Sequence, residues 1–227
     1  MAAAVTAGEA ADVHRAEFRY GAVFMLVLAL LVFVIIAPSG DATRAVVLAL
    51  QGAALLVVVG TSRERRSVRQ ARVRALGAAA VVLVAAVALG ALPVALVVSI
   101  NGLLALSVLV ALVRGLLRLV RLHGVTLQVV AGALAIYVLV GLIFAWIISL
   151  VAKAGGDPFF SGGTDASQGD RVYYSFTVLT TTGFGDLTAA TPVGHALSVV
   201  EMLLGQLYLV TVIGVIVGGF AGRSRTG

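Results

Sequence analysis

The chain contains no cysteine. Disulfide bonds, thiolate metal sites and cysteine nucleophiles are therefore excluded. Charge is scarce as well: 11% of the 227 residues are charged against 61% hydrophobic, far too apolar for a soluble core of this size. The sequence offers no nucleophile–base pair, metal-ligand cluster or phosphate-binding loop, which argues against an enzyme and an organic cofactor, and no segment is repeated. What it does offer is a series of apolar runs that approach or exceed the roughly 18–20 residues needed to cross hydrocarbon.

A net charge of +6 raises the possibility of a nucleic-acid partner, but the placement of the charges argues against one. Arg15, Arg19, Arg63, Arg65, Arg66, Arg69, Arg72, Arg74, Arg114, Arg118, Arg121, Arg223 and Arg225 all fall on one side of a six-helix zigzag. The other side receives only Arg44, Lys153 and Arg171. That asymmetry is the positive-inside bias, and it puts both termini in the cytoplasm of a multi-pass plasma-membrane protein. The arginines between 63 and 74 read as a solvated loop touching anionic lipid head groups.

Taken in order, 1–17 is a cytoplasmic lead and 18–113 a peripheral domain of four spanning helices. These are expected at 18–37, 42–60, 75–90 and 93–113. The 114–124 stretch spaces Arg114, Arg118 and Arg121 among leucines and reads as an amphipathic linker helix on the cytoplasmic surface. A pore domain fills 125–221 and a short tail 222–227. Within that domain a fifth helix is expected at 126–151, with Trp146 near its outer end as an interfacial aromatic. A polar turret follows at 153–170, then a short half-helix at 171–181 and a sixth helix at 192–220. The expected fold is all-α: six transmembrane helices with a re-entrant pore helix and a filter loop.

The segment Thr180-Thr181-Thr182-Gly183-Phe184-Gly185-Asp186 joins the half-helix to the sixth helix. Two glycines around one aromatic can hold alternating backbone conformations that residues with a Cβ resist. Such a strand turns successive carbonyl oxygens to one side. Several copies around an axis would stack those oxygens into cages that replace an ion's hydration shell. The segment resembles the selectivity filter of tetrameric potassium channels, usually Thr-Val-Gly-Tyr-Gly-Asp, departing from it at Thr182 and Phe184. The resemblance covers about 126–221. It implies a homotetramer, passive potassium conduction, and K+ held by the carbonyls of Thr181, Thr182, Gly183 and Phe184 and by the Thr181 hydroxyl. Gly185 would complete the outer mouth. A weakly selective monovalent cation channel and a non-conducting membrane subunit are the alternatives.

The same resemblance assigns support roles. Asp186 is held in such channels by an aromatic donor near the start of the pore helix. Tyr173 and Tyr174 occupy the matching positions, with Tyr173 expected on Asp186 and Tyr174 against Phe184. Gly205 matches the glycine at which the inner helix bends. Beyond it Gln206, Leu209, Ile213 and Val217 recur at helical spacing and are expected to face the pore, the last three closing it by dewetting. Glu201 is the only carboxylate within an apolar helical run. A charge at that depth is costly, so it is read as a hydrogen-bonded brace or as a proton site for gating. Voltage gating is not expected, because 93–113 carries no arginine or lysine.

Overall fold

The computed structural model describes residues 20–38, 40–59, 66–155, 158–163, 166–216 and 218. Among them the regular structure is helical, apart from one isolated antiparallel bridge between Phe160 and Ala189. The helices are α1 (Tyr20–Ile36), α2 (Asp41–Val59), α3 (Arg66–Ala88), α4 (Val94–His123), α5 (Leu127–Ala154), α6 (Gln168–Leu179) and α7 (Pro192–Tyr208). Three stretches are long and apolar enough to cross a membrane: Ala95–Arg121, Leu127–Ala154 and Pro192–Ile216. The stretches Tyr20–Ile36 and Arg74–Ala88 are apolar but shorter. The expected leads and tails at 1–17 and 222–227 lie outside the described residues.

Two boundaries differ from the sequence reading. α3 begins at Arg66, so most of the arginine segment is helix rather than loop. Neither glycine nor proline interrupts Arg66–Leu76, and arginine is a good helix former. The linker expected at 114–124 is likewise not a separate helix. α4 runs unbroken through Arg114, Arg118 and Arg121 and stops only at Gly124, whose φ of 66° falls in the left-handed region that glycine tolerates.

α2 packs against α3 and α4, and Ala45, Leu48, Val87 and Val97 form the core of that peripheral group. α5 is the axle on which the two halves meet. Its N-terminal half, through Val129, Ala133, Ile136 and Leu139, shares a core with Val23 and Val27 of α1 and Val108, Leu112 and Leu116 of α4. Its C-terminal half packs against Phe159, Phe160 and α6. α1 also reaches the start of α6: a Cβ on Gly169 would come within 2.9 Å of the Ile35 carbonyl oxygen. The peripheral helices thus buttress the re-entrant helix directly.

Candidate functional site

α6 is too short to span. It is started by a capping box, in which Ser167 Oγ accepts from the Asp170 N–H at 3.1 Å and the Ser167 N–H donates to the Asp170 carboxylate at 2.9 Å. The Ser167 N–H first, and then the Ser167 hydroxyl, hold the Asp170 carboxyl below its ordinary range. The helix therefore begins three residues before the expected 171. Ser167 and Asp170 belong to its cap and not to a free turret.

The turret is anchored rather than loose. Phe159 and Phe160 are buried and meet Tyr174 edge-on at ring distances of 6.1 and 5.1 Å. The Ala190 N–H donates to the Phe159 carbonyl and the Ser161 N–H to that of Thr188, each at 2.9 Å. This zips the turret to the segment that follows the filter. Tyr174 adds a hydroxyl bond with Ser198 of α7 at 2.7 Å. Tyr174 is thus part of the turret anchor, and the expected contact with Phe184 is not made. Adjacent helical residues point about 100° apart, so one tyrosine meets the turret and the other the filter.

Tyr173 takes both filter contacts. Its hydroxyl interacts electrostatically with the Asp186 carboxylate, and its ring stacks on Phe184 with centroids 6.2 Å apart and planes 5° from parallel. The filter itself leaves α6 through a tight series of bonds. The N–H of Thr181 donates to the Val178 carbonyl, and those of Thr182 and Gly183 both donate to the Thr177 carbonyl, at 2.9–3.1 Å. Thr180 and Thr182 bond through their hydroxyls at 2.8 Å.

Beyond that point every second residue is left-handed: Thr181 has φ 59°, Gly183 54° and Gly185 82°. The glycines adopt this freely; a β-branched threonine is strained there. The alternation matches the conformation that the two glycines led us to expect, with Thr181 as an addition the sequence did not signal. Among the described residues no hydrogen bond engages the carbonyls of Thr181, Thr182, Gly183, Phe184 or Gly185, and the whole segment is exposed on a single chain.

Behind the filter lies a polar cluster inside apolar walls. Glu201 is fully buried. Ser175 of α6 bonds its carboxyl Oε1 and also donates to the Gly141 carbonyl of α5 at 2.7 Å. A hydroxyl has one hydrogen, so it cannot serve a carboxylate and that carbonyl at once. A protonated Glu201 donating to Ser175 completes both bonds. Glu201 therefore ties α7 to α6 and α5, in the position of a brace.

One turn on, Gly205 is occupied from outside: a Cβ there would lie 2.1 Å from the Leu179 carbonyl oxygen at the end of α6. That same oxygen accepts from the Tyr137 hydroxyl at 3.2 Å, while Tyr208 donates to the Ala133 carbonyl at 2.6 Å. Gly205 is a packing glycine. The helix is regular through it, and the irregularity expected there starts at Leu209, where Leu209–Ile213 is wound as π-helix. A π segment is itself a source of bends.

Gln206 and Leu209 are exposed on the single chain. The side chains of Ile213 and Val217 lie outside the described residues. Ser175, Tyr137, Tyr208 and Ser198 were not singled out in the sequence. The only signal available was a hydroxyl in an otherwise apolar helix, which is common in membrane segments.

Comparison with known proteins bears on this same half of the molecule. No curated protein matches the chain. Residues 133–220, which hold most of α5, all of α6, the filter segment and α7, match the family model described as ion channel, and the match takes in two of the three stretches long and apolar enough to cross a membrane.

Proposed function

We propose that the chain is one subunit of a homotetrameric potassium channel of the plasma membrane, with six spanning helices, both termini cytoplasmic and K+ as the conducted ion. The observation that carries this reading is the alternation at Thr181, Gly183 and Gly185, which leaves five successive carbonyls unengaged on an exposed segment. Irregular backbone at membrane depth is tolerated only where protein covers it or water reaches it. A single chain does neither, so the filter requires further copies around it. Four give the stacked cages of the family it resembles. Thr181, Thr182, Gly183, Phe184 and Gly185 would form the ion sites, with Tyr173 and Asp186 holding the outer mouth. The arginines of 63–74 are proposed to meet anionic lipid. No nucleic acid is invoked.

Reconstituted protein should pass potassium and rubidium well above sodium, read from reversal potentials under biionic conditions. Equal potassium and sodium permeation would instead support a weakly selective monovalent cation channel. The strained Thr181 is the observation that favours that second reading, because a filter relaxing there loses its innermost cage. A monomer by native mass measurement would sink both.

A weak voltage response is expected as well. Moving one charge through the field yields about 2.3 kcal/mol per 100 mV, so steep gating needs several charges inside the membrane. The arginines of α4 occupy its last three turns, and the preceding 94–113 stretch has no charge. Open probability should change little between about −100 and +100 mV on this accounting. Measured gating charge of several elementary units, abolished by neutralising Arg114, Arg118 and Arg121, would overturn the reading.

A further inference from the structure

A cavity of about 80 Å³ sits where the peripheral helices meet the pore half, walled by α1, α2, α4, α5 and the first turns of α6. Among the buried side-chain atoms without a hydrogen-bond partner in the described residues, Gln51 Oε1, Asn101 Oδ1 and Trp146 Nε1 belong to residues lining it. Gln51 is 7% exposed. The orientation of Asn101 is fixed, since its Nδ2 donates to the Val97 carbonyl at 3.0 Å and leaves Oδ1 over. The Trp146 indole lies directly on Gly102, where a Cβ would fall 1.9 Å from the ring. Trp146, expected at the interface from its place in α5, thus packs against α4. It is a cavity wall with a donor to spare.

Buried polar atoms without partners are rare in native proteins and call for an explanation. Two acceptors and one donor, brought from three different helices to one space, describe a complement that both donates and accepts. A hydroxyl group does that. Of the cations lining the space, Arg44 is paired with Asp41, and Arg171 donates to the Ala166 carbonyl at 2.8 Å. The remaining wall is apolar, with Val47, Leu142 and Val172 prominent in it. Its volume is roughly half that of a 150 Å³ cavity known to take benzene.

We propose that this cavity is a binding site for a small uncharged molecule bearing a hydroxyl on a short aliphatic body, either a free alcohol or the hydroxyl end of a neutral glycerolipid. The hydroxyl accepts from Trp146 and donates to Gln51 or Asn101. The aliphatic part lies on the apolar wall. Because Gln168, Arg171 and Val172 of α6 line the same space, an occupant touches the helix that carries the filter.

Trp146 is the single tryptophan of the chain, so its emission reports on this cavity alone. Full-length protein in phosphatidylcholine vesicles would be titrated with 2,2,2-trichloroethanol, a hydroxylated contact quencher of indole. Quenching should contain a saturable component that is relieved by competing 1-butanol if free alcohols are the natural class. Relief by glycerol monooleate in the vesicle, with butanol inert, assigns the lipid source. Replacing both amides (Gln51→Leu with Asn101→Leu) should weaken the saturable component at least about fivefold, as expected for losing a hydrogen bond. Ala145→Leu, which fills the space and keeps both amides, should remove it, and it serves if the double variant fails to assemble. Linear quenching without saturation, indifferent to competitors and to Ala145→Leu, would mean that the cavity holds water only and would overturn the proposal.

Discussion

Replacing Gly205 by alanine should abolish assembly of the pore half or lower its melting temperature sharply, with loss of conduction. The added Cβ would sit 2.1 Å from the Leu179 carbonyl oxygen and 3.0 Å from its carbonyl carbon. Neither atom can swing away, because both are backbone at the end of α6. Overpacking a close contact costs about 1–3 kcal/mol in soluble cores, and a rigid backbone neighbour puts this site at the upper end. Thermal unfolding in detergent and flux in vesicles would measure it. Trimming the neighbour tests the cause: Gly205→Ala with Leu179→Ala should remain defective, since the carbonyl stays. Gly214→Ala is the control, because nothing lies within 4 Å of its Cβ position and alanine favours helix by about 1 kcal/mol over glycine. If Gly205→Ala behaves like Gly214→Ala, α7 does not press on α6 in the membrane, and Gly205 would regain its place as a free hinge.

The residues that organise the filter were readable because their chemistry is local. Gly183 and Gly185 announce left-handed backbone wherever they occur in such a run, and the structure uses both that way. The start of α6 was local too, yet it was misread. Ser167 and Asp170 form a capping box, but their polarity resembled that of the turret before them. Tyr173 and Tyr174 could not be told apart from spacing. What separates them is a packing fact from elsewhere in the chain, the burial of Phe159 and Phe160 against one and not the other. Gly205 shows the same limit, since a helical glycine is equally a hinge or a hole until the neighbour that fills it is known. α3 and α4 were drawn too short for a different reason. Clustered arginines read as punctuation between spans, whereas they are good helix formers and end nothing by themselves. Glu201 was legible as an oddity, but its partner was a lone serine 26 residues away.

That partnership leads to the second large effect. Ser175→Ala should destabilise the pore half more than any substitution of Glu201 itself. In the native arrangement Glu201 Oε1 is bonded to Ser175, while its Oε2 is buried without a partner among the described residues. Alanine at 175 would leave both oxygens of a buried carboxyl unpaired, while the Gly141 carbonyl loses the Ser175 bond and keeps its place in the α5 ladder. A newly orphaned buried group costs on the order of 1–3 kcal/mol, and a loss of that size is expected. Glu201→Gln should be mild, because its amide can still donate to Ser175. Glu201→Leu removes the unpaired Oε2 as well as the bond and leaves Ser175 with Gly141. Because Ser175 still donates to Gly141, no donor is newly orphaned and the cost is small. The decisive variant is the pair. Ser175→Ala with Glu201→Leu should recover most of what Ser175→Ala loses, giving a strongly non-additive double-mutant cycle. Thermal unfolding of the four proteins in one detergent measures it. Additive losses would mean that Glu201 is satisfied by a neighbouring subunit, and the brace would then run between copies of the chain rather than within one.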